Sequence, residues 1–177
     1  MSNKKKVKMF KTGDPIVHPV RGAGVVVRVE ERQWRGSNNL YYRIKLLGHP
    51  SSSLMIPFST AETIGLRRAI SQSNLNRVWH VLCADPGMLP TDHKERYQVL
   101  EDKLHTGDVL KVAEAVRDMT WRRHQQGHLT TRGKQMYDEG MMLLAGELAA
   151  SQDIQVMDAE AQIRTKLDES LAPATVM

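Results

Sequence analysis

The sequence predicts an α+β protein of two domains, a small β-barrel over residues 1–65 and a compact all-α bundle of about five helices over residues 66–177. Three observations lead there. Apolar residues alternate with period two between residues 10 and 60, then recur at helical spacing from residue 71 onward. Clusters of Gly, Pro, Ser and Asn interrupt the first half every few residues, as turns between short strands do. Charge divides along the same line. Residues 1–70 hold 13 Lys/Arg against 4 Asp/Glu, a net of +9, whereas residues 71–177 hold 12 against 16, a net of −4.

In the first half, a strand through Ile16-Val17-His18 ends at Pro19. Gly22 and Gly24 supply the permissive backbone of a tight turn. Val25, Val27 and Val29 are expected on one strand face, with Val26, Arg28 and Glu30 on the other. A polar loop of Gly36, Ser37, Asn38 and Asn39 leads to the clearest alternation in the chain. There Leu40, Tyr42, Ile44 and Leu46 share one face while Tyr41, Arg43 and Lys45 share the other. A third loop, GHPSSS, precedes Leu54-Met55-Ile56, and Pro57 stops that strand by removing a ladder donor. Short strands so closely spaced imply a barrel of the SH3-like or Tudor-like kind. Such barrels bind more often than they catalyse, and a partly open one leaves an edge strand able to accept a partner's strand.

In the second half, Leu75, Val78 and Leu82 lie one turn apart after a Ser/Asn-rich start, and ADPGMLP (84–90) breaks that helix. Asp92 stands three residues before Glu95, a capping-box-like spacing, with Tyr97, Leu100 and Leu104 on one face beyond it. Gly107-Asp108 reads as the end of this helix and the cap of the next, whose stripe is Val109, Val112, Val116 and Met119 or Thr120. Gly127 ends that one. Thr130 or Thr131 opens another through Met136, Gly140, Leu144 and Leu148, and a final helix covers roughly 153–171. Helices joined by loops this short pack as a compact bundle.

Little in the chain points to chemistry. His124 and His128 are four apart, but Gly127 lies between them and no acidic residue takes the Glu position of an HExxH site. Cys83 is the single cysteine, which excludes an internal disulfide. It is expected as a buried or half-buried thiol in a reducing, cytoplasmic setting. No phosphate-cradling glycine loop, nucleophile elbow or pocketed carboxylate pair is recognisable. Neither a secretory apolar run nor a stretch approaching the roughly 20 residues of a membrane span occurs. The expectation is a monomeric, non-enzymatic protein without cofactor or metal.

The basic residues are better organised. His93, Lys94 and Arg96 cluster at one helix start, Arg122 and Arg123 end the following helix, and Arg132 and Lys134 begin the one after it. Short loops can join them into one patch along a phosphate backbone. Arg122 and Arg123 equally suit a helix C-terminus, so spacing leaves open both DNA contact and a solvated surface. Trp79 and Trp121 are expected near the core, and Trp34, beside the polar barrel loop, as a contact residue.

The order FKTGDPIVHPVRGAG, IPFSTAETIGLR, KVAEAVRDM and LLAGELA, spanning about Phe10 to Leu171, resembles the CarD/CdnL-like bacterial transcription regulators. The barrel portion is also similar to the polymerase-interacting domain of transcription-repair coupling factors, without their helicase motor. The resemblance implies a Tudor-like domain that binds the β-subunit lobe of RNA polymerase. It further implies a helical domain that contacts promoter DNA at the upstream bubble edge, stabilises the open complex and works in the cytoplasm on the nucleoid. Carried over by position, Arg32 matches a basic residue used on polymerase, and a second such arginine aligns with Met55. Backbone pairing along Leu54–Ile56 survives that change and an ion pair does not. Arg96, Arg123 and Lys134 match basic positions expected near DNA. Familiar members have a tryptophan wedge where this chain has His93, and Glu95 stands where a basic residue is common. Two other classes remain open on the sequence. One is a general DNA-binding protein using its KKKVK arm without polymerase, and the other is a barrel adaptor for a different acidic protein.

Overall fold

The computed structural model describes residues 10–172, so the KKKVK arm at 4–8 lies outside the described residues. Five strands come first: β1 (Pro15–His18), β2 (Gly22–Trp34), β3 (Ser37–Leu46), β4 (Ser53–Pro57) and the short β5 (Arg67–Arg68). They pair antiparallel in the order β4-β3-β2-β1-β5. Among the described residues no ladder joins β4 to β5, so the strands form an open sheet, and β4 is an edge. The sheet also takes in Arg67 and Arg68, past the expected boundary at residue 65.

Of the expected polar loop at 36–39, Ser37, Asn38 and Asn39 are strand instead. Arg35 and Gly36 alone turn the chain, at φ 47° and 80°, the pair of positive values that suits the right-handed twist of a hairpin. The two expected valine faces are split instead. A bulge between Val26 and Arg28 shifts the β2–β3 register, so Val26 and Val29 lie opposite Ile44 and Tyr42 while Arg28 lies opposite Arg43. Val26 is wholly buried, and Val27 and Val29 are exposed. Alternation in β3 survives for Tyr42, Ile44 and Leu46, which are buried, but Leu40 near the hairpin tip is exposed.

Pro57 ends β4 and also opens an unanticipated helix, α1 (Phe58–Ile64), closed by Gly65 at φ 88°. Proline's fixed φ suits both duties. Helix α1 lays Phe58 on Tyr42 as a stacked pair 4.0 Å apart, with Phe10 edge-on to the same ring at 5.6 Å. These rings join Ile16, Val26, Ile44 and Ile56 in the sheet's own core.

Five further helices follow: α2 (Leu75–Cys83), α3 (His93–His105), α4 (Val109–Gln126), α5 (Thr131–Gln152) and α6 (Val156–Leu171). Asp92, Asp108 and Thr130 cap α3, α4 and α5 by accepting from backbone N–H groups of the first turn, and Gly127 ends α4 in the left-handed region. Their second core centres on Val78, Leu82, Val116, Leu144, Leu148 and Ile163, with α5 running through the middle. None of the helices is long and apolar enough to cross a membrane.

Candidate functional site

Alternation along β2 puts Arg28, Glu30, Arg32 and Trp34 on the sheet face away from its core, and cross-strand register adds Arg43 and Met55. Glu30 is the hub of this face. It accepts from Arg43 Nε at 2.5 Å, from Arg32 Nε at 3.2 Å and from Arg28. The Arg43 guanidinium first, then those of Arg28 and Arg32, hold its carboxyl down at about 2. Arg43 also reaches Met55 Sδ at 3.7 Å, and Trp34 stands 67 % exposed toward the hairpin tip. Arg32, Trp34 and Met55 share this face. Leu54 and Ile56, expected to offer their backbone, turn their side chains to the core opposite Ile44 and Tyr42 and leave that backbone on the edge strand. Glu30 and Arg43 were visible in the sequence only as alternating charges; their convergence needed the register.

At the helical domain's far end, the N-termini of α3 and α5 meet the C-terminus of α4. Asp92 accepts from Glu95 N–H at 3.0 Å and Lys94 N–H at 2.9 Å, and these bonds keep its carboxyl below the usual range. His93 and Lys94 are exposed on the first turn of α3. Arg96 is not. It is 7 % exposed, and its Nη1 donates to the carbonyls of Pro90 and Thr91 at 3.1 and 2.9 Å, bracing the loop that enters α3. The loop is held from below too, by Gly87 N–H on the buried carboxylate of Asp118 at 2.9 Å.

Tyr97 is the unexpected centre of this end. His93 meets its ring edge-on at 6.5 Å, and the Arg96 and Arg132 guanidinia lie 5.6 and 4.9 Å from its centroid. Its hydroxyl bonds to Thr130, the residue capping α5. The sequence carried one hint, the i,i+4 spacing of His93 and Tyr97; Thr130 and Arg132 lie more than thirty positions away. Arg123 stacks over Tyr137 at 4.7 Å and lines a pocket of about 450 Å³ with Lys134, His128, Asp138 and Arg164. The expected patch therefore forms as two neighbouring clusters, one on Tyr97 and one on Tyr137, which share His128 and Leu129 as a wall. Neither Arg123 nor Lys134 has a carboxylate partner among the described residues.

Trp79 is half-buried against the helical core, and Trp121 is half-buried beside His124. Cys83 corrects the expectation of a covered thiol. At the last position of α2 it is exposed, because α2 ends there and the chain leaves extended at Ala84. Among the described residues no group of three or more His, Cys, Asp or Glu is placed to hold a metal ion.

Two family models match in sequence order. Residues 10–70 match the CarD-like/TRCF RID domain, and residues 77–164 match the CarD C-terminal domain. A Bacillus subtilis (strain 168) protein named "Putative transcription factor YdeB" is 30 % identical over 140 residues, covering 79 % of this chain and 90 % of that protein.

Proposed function

The chain belongs to the CarD-like family, whose members are associated with transcription, and from that premise we propose that it is a non-enzymatic regulator of initiation. Its sheet domain docks on the β-subunit lobe of RNA polymerase, using the β4 edge and the face of Arg32, Trp34 and Met55. Its helical end then meets promoter DNA at the upstream edge of the bubble. Arg123 and Lys134 contact the phosphate backbone there, and His93 and Lys94 approach the melted junction. The observation that supports this best is the convergence of three helix ends on Tyr97 and Tyr137, where Arg123 and Lys134 have no salt-bridge partner among the described residues. A surface of that kind binds phosphate without reading sequence.

Docking supplies what such a weak surface lacks. Tethered on polymerase, the cations act at high effective concentration on one stretch of DNA. Favouring melted over closed promoter by about 1.4 kcal/mol shifts that equilibrium roughly tenfold. No catalytic group is needed. Arg96 enters as a brace for the α3 entry loop rather than as a phosphate ligand.

The test uses the full chain and RNA polymerase from the same organism. Saturable binding without DNA, competed by an isolated β-lobe fragment, is expected, together with a longer open-complex lifetime on a supercoiled promoter. His93→Trp, which enlarges the apolar surface offered to the junction, should lengthen that lifetime further. Duplex binding with no binding to polymerase would leave a general DNA-binding protein, and binding to neither would leave an adaptor for another partner.

A further inference from the structure

The two binding faces sit on separate cores, and the seam between those cores is unusually specific. Most of it is small and apolar. A methyl group on Gly146 of α5 would lie 3.6 Å from Ala23 Cβ on β2, and one on Gly22 would lie 3.4 Å from Leu143. Pro19 packs into the α3–α4 turn, 3.5 Å from where Gly107 would bear a side chain. Contacts of this kind bring backbones close but have little direction, so they tolerate sliding.

Among the described residues one charged pair crosses the seam. Glu147, on α5, is 3 % exposed, and Arg67, on β5, grips it with both ends of its fork at 2.6 and 2.8 Å. The same carboxylate accepts Ile70 N–H at 2.9 Å. Arg67 further donates Nε to Gly107 O at 2.6 Å and Nη1 to Arg68 O at 3.0 Å. Its guanidinium thus ties the sheet, through its ladder to Val17, to α5 and to the α3–α4 turn at once. A buried carboxylate is tolerable only with its counter-charge and hydrogen bonds in place. Sliding α5 along the sheet by one helical turn, about 5.4 Å, would strand it. The pair therefore admits one seating of the two domains and penalises the others.

We infer that Arg67 and Glu147 are positioning residues that hold the two faces at one fixed orientation, so that docking the sheet places the helical end. The consequence for initiation rests on the function proposed above; the clamp itself does not. Rigid spacing matters because effective concentration at the second site collapses when the connection is allowed to wander.

The domain geometry is measured directly by electron–electron distance spectroscopy, with nitroxides on Asn38→Cys and Gln135→Cys in a Cys83→Ser chain. The parent chain should give one narrow distance distribution and Glu147→Gln a broad one. An unchanged distribution in a folded Glu147→Gln chain overturns the inference. Should that variant fail to fold, Arg67→Lys keeps the charge but loses the bidentate fork and is read the same way. With polymerase and promoter, Glu147→Gln in the otherwise unaltered chain should shorten the open-complex lifetime about tenfold at unchanged polymerase affinity. A bridge then tests whether fixing the seating suffices without the ion pair. The 3.6 Å separation at Ala23 and Gly146 lies in the range of disulfide Cβ atoms, so Ala23→Cys with Gly146→Cys in a Cys83→Ser chain can cross-link the seam. Oxidation should restore the lifetime to Glu147→Gln, and reduction should abolish the rescue. A cross-link that forms without restoring the lifetime counts against positioning. If even the parent chain does not bind polymerase, the proposed function fails while the distance distributions still decide the clamp.

Discussion

The arginines on the sheet and those at the helix ends are held by different kinds of partner. Arg28, Arg32 and Arg43 all reach the one carboxylate of Glu30, whereas Arg123 and Arg132 lie over the rings of Tyr137 and Tyr97. A carboxylate removes a unit of charge and takes up N–H donors. A ring orients the guanidinium through its face and leaves the charge and the edge donors to a ligand. Arg132 stands between the two cases, since it also meets Glu101 at 3.5 Å. The sheet face is thus a preset arrangement of three guanidinia on one carboxylate, still net positive, whereas the helical end holds its guanidinia on rings. Under the proposed function, Trp34 and the β4 edge serve docking, and Lys134, without a salt-bridge partner among the described residues, serves phosphate contact.

The harshest way to break the comparison is to remove one face and leave the other. Tyr42→Ala deletes the ring held between Phe10 and Phe58 in the small sheet core, at a cost of about 3–5 kcal/mol. Thermal melting followed by circular dichroism should show early loss of strand signal with the helical transition largely retained. Polymerase binding should vanish while duplex binding persists; loss of both together would mean that the two cores unfold as one.

A milder change addresses the charge argument. Arg123→Gln with Lys134→Gln should lower the slope of log affinity against log salt for duplex DNA by about 1.8, roughly 0.9 for each phosphate contact. Anisotropy titrations between 50 and 200 mM salt read this directly. The same loss from Arg28→Gln with Arg32→Gln would show that both faces work by field alone.

The smallest expected effect is on pH. Glu30 is held near 2 in the folded chain, below its ordinary value of 4.5. A carboxyl depressed in this way contributes stability that is complete above the ordinary value and is lost as pH falls through the depressed one. Between pH 8 and 5 the sheet face should therefore be unchanged, with local loosening only as pH falls from about 4.5 toward 2. The carboxyl carbon shift of Glu30 should titrate in that low range, and Glu30→Gln should remove the dependence. A midpoint near 4.5 would mean that the arginines do not hold the carboxylate in solution.

Much of this was legible in the residues. Helical periodicity located the five later helices, and Asp92, Asp108 and Thr130 act as the caps that their positions suggested. The strand alternation of Tyr42, Ile44 and Leu46 was equally plain. Where the expectation failed, a residue had two available states and a distant partner chose between them. Val26 and Val27 are chemically alike, and the bulge against β3 decided which is buried. Arg96 has the sequence appearance of a phosphate ligand, yet two carbonyls of its own entry loop use it. Cys83 reads as a covered thiol until the end of α2 leaves it in solvent.

Periodicity, capping and charge distribution act over a few residues, so they set which segments become strands or helices and which parts of the chain are basic. Pairing between Glu30 and Arg43, Tyr97 and Thr130, or Arg67 and Glu147 spans 13, 33 and 80 positions. Those contacts depend on register and on how α5 seats against the sheet. A local pattern places a charge on the chain, and only the folded neighbourhood determines whether it is neutralised, stacked on a ring or buried as a clamp.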